Sequence, residues 1–104
     1  MDYVIGWMTV RPGERDEFFE SSLEFVRATK AEPGTLFFEL HKSSENPDVV
    51  VAIEAYVNAE VHEAHVKSAH FAAFWHLFQR YVLTGKFENV TADTSRLDEV
   101  RSGA

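Results

Sequence analysis

Cysteine is absent from this sequence of 104 residues. Disulfide bonds, thiolate nucleophiles and thiolate metal ligands are therefore excluded. No apolar run approaches the roughly 20 residues that cross a bilayer. The first residues also lack the basic start and apolar stretch of a signal peptide. From these absences we expect a cytoplasmic protein.

Basic residues are few, with ten against 17 acidic ones, and the formal net charge is −7. They are scattered along the chain, whereas a protein that binds nucleic acid needs a basic stripe to neutralise phosphates. A membrane surface, which attracts clustered basic residues, is disfavoured for the same reason. The five glycines are widely separated. No phosphate-binding loop and no dinucleotide site is therefore predicted.

Aromatic residues, in contrast, are abundant: nine Phe, three Tyr and two Trp. They are typical either of a core filled with large rings or of a ring-lined pocket for a flat ligand. The length fits a single domain over residues 1–104, with a core at about 3–92 and a polar tail at 93–104. A chain of this size buries only about two-thirds of its unfolded surface, so association would help to stabilise it.

Hydrophobic patterning and turn residues predict four strands and three helices. The strands are predicted at residues 3–10, 35–42, 49–57 and 87–92. The helices are predicted at residues 14–31, 59–67 and 69–83, with Phe19, Leu23 and Val26 as the apolar stripe of the first and Gly85 ending the last. The order β-α-β-β-α-β is the ferredoxin-like split βαβ motif. It predicts an α+β fold, with a four-stranded antiparallel sheet that carries its helices on one face.

Both faces of the predicted strands are apolar. In the second strand Phe38 and Leu40 point to one side and Phe37 to the other, and the first strand has adjacent apolar residues at Val4 and Ile5. A sheet covered on one side only would alternate with polar residues. The predicted helices cover one face, so the other face needs a cover from outside the chain. A second copy of the same sheet is the simplest one, which predicts a homodimer.

Two polar pairs interrupt these strands. Glu39 and His41 lie on the Phe37 side of the second strand, and Glu54 and Tyr56 share one side of the third. If the two strands pair as a hairpin, the four side chains are expected to lie near one another. They are typical either of cross-strand hydrogen bonds between buried polar groups or of a carboxylate with a shifted pKa that orients a histidine or a substrate hydroxyl.

Four histidines, His62, His65, His70 and His76, fall within the predicted helices. The segment at 62–65 (HEAH) is one residue shorter than the zinc-binding helix motif, in which the histidines are at i and i+4. With no third ligand evident, no metal site is predicted. His65 is placed to face the sheet, where it would either accept a proton from a phenol or form a hydrogen bond with the backbone.

Three segments together resemble the antibiotic biosynthesis monooxygenase family. They are 32–40 (EPGTLFFEL), which resembles the family's entry into the second strand, 54–56 (EAY) in the third strand, and 63–74 (EAHVKSAHFAAF) in the helical region. The segments follow the family's order and spacing, and with the first strand the resemblance covers about residues 3–92.

The resemblance implies a ferredoxin-like dimer, a barrel formed by its two sheets and a pocket between sheet and helices. Family members include quinol and anthrone-type monooxygenases that use dioxygen without metal, flavin or haem. The substrate implied is a small phenolic, quinol or polyketide-like aromatic, whose phenolate reduces oxygen once it is deprotonated, positioned and desolvated. No cofactor is expected.

The resemblance also implies roles for particular side chains. His65 would be the base, with His70 and Glu54 as further catalytic residues. The substrate-binding residues expected beside them are Trp7, Phe37, His41, Tyr56, Phe71 and Trp75. Trp75, Phe71 and Trp7 would stack on the substrate or wall it, and Tyr56 or Glu54 would orient a hydroxyl.

Two departures define the alternatives. Haem-degrading relatives carry an asparagine and a tryptophan where this chain has Trp7, or a neighbour, and His65, which disfavours haem degradation. A relative that isomerises a phosphorylated quorum-signal derivative shares the histidines that match His65 and His70. An isomerase of a small carbonyl compound therefore stays open, as does a non-catalytic protein that binds flat ligands in the same pocket.

Overall fold

The computed structural model describes residues 1–91 and 95–102, which form one antiparallel sheet and four helices. The strands are β1 Asp2–Val10, β2 Thr35–Lys42, β3 Val49–Tyr56, β4 Val82–Val90 and β5 Ser95–Arg101, and the helices are α1 Arg15–Ser21, α2 Leu23–Lys30, α3 Ala59–Val66 and α4 Ala69–Tyr81. The strand order is β2-β3-β1-β4-β5, and every pairing is antiparallel. The helices pack on one face, so the predicted α+β ferredoxin-like fold is confirmed.

The sheet has five strands, and the prediction of four is wrong. Part of the predicted polar tail forms β5, which pairs with β4 at the sheet edge. Its sequence SRLDEVR is mostly polar because an edge strand lies in water and charged side chains there prevent pairing with other chains. Residues 82 and 83, predicted as helix, and Gly85, predicted to end it, lie in β4. The last residue of the predicted strand 87–92 lies outside the described residues.

The predicted helix 14–31 is two helices that meet at Ser22. The Ser22 hydroxyl donates to the carbonyl of Phe18 at 2.7 Å, a bond that commonly bends helices. The buried side of α1 and α2 is formed by Phe18, Ser22, Phe25, Val26 and Thr29. Of the predicted stripe, Val26 is buried as expected, whereas Phe19 and Leu23 are only half-buried and Phe18 and Phe25, which flank the stripe, are buried in their place.

The helices cover one face of the sheet, here called the covered face. Alternate residues of β1, including Val4 and Met8, point to it and are almost completely buried. Phe18 of α1 and Phe78 of α4 pack against Met8 in the main core. This packing follows from the period of two along a strand, which sends every second side chain to the same face.

Phe87 of β4 lies over two glycines on the covered face. A Cβ at Gly6 or at Gly85 would come within 2.7 Å of the Phe87 ring. Gly6 pairs directly with Phe87 across β1 and β4, and Gly85 precedes it by two residues on the same side. The two glycines therefore leave the space that this ring occupies.

The opposite face, here called the open face, carries apolar side chains without cover from the chain's own helices. Tyr3, Ile5, Trp7, Phe37 and Ile53 are each 36–42% exposed. A half-exposed pair, Glu39 and His41, borders them. Among the described residues, no helix has the length and apolarity that a membrane crossing requires.

Candidate functional site

A cavity of about 500 Å³ lies between the covered face and the helices. Its walls are mainly aromatic, with a few polar groups at particular places. The aromatic residues that line it are Phe25, Phe38, Phe71, Phe74, Trp75, Phe78 and Phe87. The polar residues are Glu54, His62, His65, Asn89, Arg96, Asp98 and Glu99. An apolar cavity with few convergent polar groups is typical of a site for a small molecule.

His65 is held at this cavity by the junction of α3 and α4. The Ser68 hydroxyl donates to the His65 carbonyl at 2.6 Å and accepts from the Phe71 amide at 3.2 Å. The same hydroxyl thus binds a carbonyl in the last turn of α3 and caps the N-terminus of α4. At the other end of α3, Asn58 Oδ1 accepts from the Val61 amide at 2.9 Å and caps that helix. The junction sets the direction in which the His65 ring points.

Glu32 lies in the turn between α2 and β2 and reaches the same histidine. Its Oε1 lies 2.9 Å from His65 Nδ1 and also contacts His70 Nε2. The turn depends on Gly34, which has a φ of +87° and a position where a Cβ would come within 2.7 Å of Val61. Only glycine adopts this conformation in that space without strain. The turn therefore places one carboxylate between two imidazole rings.

Burial and the pairing with Glu32 together determine the protonation state of His65. Burial lowers the pKa of His65, and it outweighs the hydrogen bond and charge of Glu32, which raise it. At neutral pH the ring is therefore largely neutral, and it carries its proton on Nδ1 if it donates to the Glu32 carboxylate. Nε2 then has a free lone pair, and it has no partner among residues 1–91 and 95–102.

A second polar pair lies on the covered face. Tyr56 donates to Glu54 Oε1 at 2.6 Å, and both side chains are buried. Burial raises the pKa of Glu54 to about 7, although the Tyr56 hydrogen bond lowers it and the charge of Glu32 adds to the rise. The pKa of Tyr56 is also raised, first by burial and then by the Glu54 charge, so Tyr56 stays a donor. His62 stacks on Tyr56 at 4.6 Å between ring centroids.

The end of the cavity beside β4 and β5 is polar. Asp98 Oδ2 accepts from Asn89 Nδ2 at 3.1 Å and from Arg96 Nε at 2.9 Å. A flat molecule in the cavity would therefore meet hydrogen-bonding groups at two places. One is near His65 and Glu54, and the other is at this polar end.

The family model of antibiotic biosynthesis monooxygenase matches residues 1–77. The chain belongs to this family. The match spans β1 to most of α4, which includes Glu32, Glu54, His65 and His70. The family predicted from the three sequence segments is confirmed. No curated protein matches the chain in sequence.

Solved structures share the fold of this antibiotic biosynthesis monooxygenase family member at low sequence identity. A protein from Nitrosomonas europaea, provisionally described as an antibiotic biosynthesis monooxygenase, is 20% identical, with 96% of each chain covered and a TM-score of 0.75. A Shewanella oneidensis protein is 15% identical, with 92% of this chain and 90% of the other covered and a TM-score of 0.81. A Bacteroides thetaiotaomicron protein of unknown function is 24% identical, with coverages of 96% and 95% and a TM-score of 0.74.

Four of the nine predicted site residues line the cavity, namely Glu54, His65, Phe71 and Trp75. Two more lie next to them. Tyr56 is bound to Glu54, and His70 reaches His65 through Glu32. The structure thus brings six of the predicted residues into one region of this family member, although their roles stay predictions.

The other three predicted site residues, Trp7, Phe37 and His41, lie on the open face. The expectation that Glu39, His41, Glu54 and Tyr56 lie together is wrong. Phe38 is the residue opposite Glu54 in the β2–β3 register, so Glu54 shares the face of Phe38 and not that of Phe37. His41 Nε2 instead pairs with Glu39 Oε1 at 2.9 Å, and both side chains are 53% exposed.

Sequence reasoning missed two parts of the site. One is Glu32, and the other is the polar end of the cavity at Asn89, Arg96 and Asp98. Glu32 stands at the start of the matched segment 32–40, directly before the Pro33–Gly34 turn, and that position was the available signal. Glu32, His65 and His70 also form the one group in the described chain whose three donor atoms, all within 4.8 Å of one another, suit a metal ion.

Proposed function

We propose that this family member is a cofactor-independent monooxygenase that oxidises a small phenolic, quinol or polyketide-like aromatic with dioxygen. The observation that carries the proposal is His65, which pairs with Glu32 through Nδ1 at the wall of a cavity lined with aromatic rings. Family membership supports the reaction class, and the cavity's volume of about 500 Å³ suits a ligand of a few fused rings.

In this proposal His65 is the base. Its Nε2 accepts the phenol proton, and the imidazolium that forms is stabilised by Glu32, which also fixes the tautomer. His70 holds the same carboxylate from the other side. Phe71 and Trp75 wall the substrate, and the dry aromatic surroundings favour electron transfer from the phenolate by removing its hydration.

Glu54 and Tyr56 orient a second polar group of the substrate. Glu54, with a pKa of about 7, is present both as acid and as carboxylate at neutral pH. It therefore either donates to a carbonyl or accepts from a hydroxyl, according to the substrate bound.

The reaction balances without an external reductant. A phenol with a free para position and one dioxygen give a quinone and one water. One oxygen atom enters the ring and the other leaves as water. All four electrons come from the substrate, so neither flavin nor metal is needed to supply them.

We also propose that the chain works as a homodimer whose two open faces pack together. Five apolar side chains exposed on one face of the sheet form a patch of the kind that marks an interaction surface. Two sheets packed face to face would bury these side chains from both copies at once.

An isomerase of a small carbonyl compound is the second candidate. It is favoured by Glu54, because a buried carboxyl with a pKa near 7 serves both to give and to take a proton. With His65 at the wall of the same cavity, such a site would move a proton from one carbon to the next. This reaction consumes no oxygen, which separates it from the first candidate.

The deciding experiment measures oxygen uptake by metal-stripped protein with a panel of hydroquinones, naphthols and anthrones, using boiled protein as blank. We expect one dioxygen consumed per quinone formed, with one atom of ¹⁸O₂ in the product. Added catalase should return no oxygen, since simple oxidation that produces hydrogen peroxide would return half. Carbonyl isomerisation that proceeds equally well without oxygen would support the second candidate instead, and saturable binding without product would support a binding protein.

A further inference from the structure

Three donor atoms from separate parts of the chain meet beside the cavity. They are Oε1 of Glu32 in the α2–β2 turn, Nδ1 of His65 on α3 and Nε2 of His70 on α4, and they lie within 4.8 Å of one another. The carboxylate oxygen is central to the group, since it contacts both ring nitrogens. An ion bound at ordinary Zn–N and Zn–O lengths of about 2.0–2.2 Å reaches all three with small side-chain rotations.

We propose that Glu32, His65 and His70 form a binding site for a divalent first-row transition-metal ion such as Zn²⁺ or Co²⁺. Two imidazoles with one carboxylate suit these ions, whereas Mg²⁺ and Ca²⁺ prefer sites made of oxygen atoms. Three protein ligands also leave coordination positions open for water or a small molecule.

The surroundings of the three side chains fit this role. His65 is 2% exposed, whereas the side chains of Glu32 and His70 are 16% and 28% exposed, which gives an ion a path from solvent. His70 also lines a separate outer groove of about 320 Å³, and Phe25 lines both this groove and the cavity. Phe25 lies 5.6 Å from the His65 ring and 5.9 Å from the His70 ring, so it restricts both rings.

Metal binding has a consequence that rests on the proposed function, whereas the site itself does not. An ion on His65 Nδ1 displaces the proton that the neutral ring donates to Glu32. The ring then carries its proton on Nε2 and cannot accept one from a phenol there. A bound ion would therefore inhibit the monooxygenase reaction by changing the tautomer of its base.

The test titrates tag-free, metal-stripped protein with Co²⁺ without substrate, and follows the visible absorption of the ion together with equilibrium dialysis. We expect one ion per chain and competition by Zn²⁺ but not by Mg²⁺. His70→Gln should weaken binding more than about tenfold, whereas His76→Gln, a change on the exposed side of the same helix, should leave it unchanged. Glu32→Gln against Glu63→Gln repeats the comparison if His70→Gln lowers the thermal stability of the metal-free protein.

Binding that is absent, or equally strong in His70→Gln and His76→Gln, would overturn the site. Oxygen uptake is scored separately. One outcome supports both proposals. The metal-free wild type takes up oxygen and Zn²⁺ suppresses that uptake, whereas the same Zn²⁺ concentration leaves the residual uptake of the Glu32→Gln variant unaffected. Metal binding that depends on Glu32 and His70, with no uptake in any metal-free sample, supports the site and removes the monooxygenase.

Discussion

Two carboxylates on neighbouring strands, Glu39 and Glu54, each pair with a side chain two residues along, and they behave differently because of the face they occupy. Glu39 pairs with His41 on the open face, where both side chains are half-exposed. Glu54 pairs with Tyr56 on the covered face, where burial raises its pKa to about 7. An exposed pair is screened by water and contributes little. The same spacing therefore gives a surface contact on one face and a buried carboxyl group with a raised pKa on the other.

The largest difference that we expect between the faces is in turnover. His65→Gln should lower the rate of oxygen uptake by roughly 10²–10⁴-fold, because it removes the proton acceptor at the cavity. His41→Gln, on the open face, should leave it within twofold. Rates from both variants at saturating substrate, with circular dichroism to confirm folding, make the comparison. Equal rates would place the chemistry away from His65.

A second pair of variants should show that the open face, and not the helical side, forms the proposed dimer interface. Ile5→Lys places a charge in the centre of the open face and should convert the protein from about twice 11.9 kDa to 11.9 kDa in light scattering. The matched control is Val66→Lys, at an exposed apolar residue of α3, which should stay dimeric. A wild-type monomer at micromolar concentration would contradict the proposed dimer.

The dependence of stability on pH should distinguish the two carboxylates. The folded-state pKa of Glu54, about 7, lies above the ordinary value of 4.5, so the folded protein keeps a proton that the unfolded chain loses. The protonated Glu54 side chain therefore contributes fully to the free energy of unfolding below pH 4.5. This contribution, about 3 kcal/mol, is lost as the pH rises from 4.5 through 7. Urea unfolding between pH 4 and pH 8 should show this loss in the wild type and not in Glu54→Gln.

Glu39→Gln is the control for that measurement, and it should follow the wild-type pH dependence. A wild-type curve that parallels Glu54→Gln over the whole range would mean that Glu54 titrates as it does in water.

The smallest expected difference is steric. Gly6→Ala adds a methyl group within 2.7 Å of the Phe87 ring on the covered face. It should lower the free energy of unfolding by about 1–3 kcal/mol, the usual effect of overpacking. Ile5→Val, one residue away on the open face, should change it by less. Unfolding curves at one pH measure both, and an unaffected Gly6→Ala would show that the ring moves aside freely.

The parts of the fold that depend on local patterns could be predicted from the sequence. The first three predicted strands agree with β1, β2 and β3 to within one residue at each end, because turn residues such as Pro33–Gly34 and Asn46–Pro47 bound β2 and β3. The strand β5 could not be predicted in this way. Its charged residues are compatible with a sheet edge only because β4 supplies the hydrogen bonds, and that pairing is a tertiary fact.

The candidate site was predicted in part for the same reason. His65 stands out by its helix position and by its family resemblance, but its partner Glu32 is 33 residues away and meets it only after α2, β2 and α3 have packed. The error over His41 came from strand register. A shift of one residue in the pairing of β2 with β3 decides whether Glu39 and His41 share a face with Glu54 or lie opposite it. The sequence near Thr35 does not reveal the irregularity that sets this register.

The packing of the Phe87 ring against Gly6 and Gly85 has a consequence for the size of the molecules that the cavity can admit. The ring rests on backbone and lines the cavity from the sheet side. Its size therefore limits the depth of the cavity at this point of the sheet. Substitution by leucine or alanine would deepen the cavity in steps and leave the His65 side unchanged. In the proposed enzyme, the size of the accepted substrate would thus be adjustable at one strand position, apart from the proton acceptor on α3.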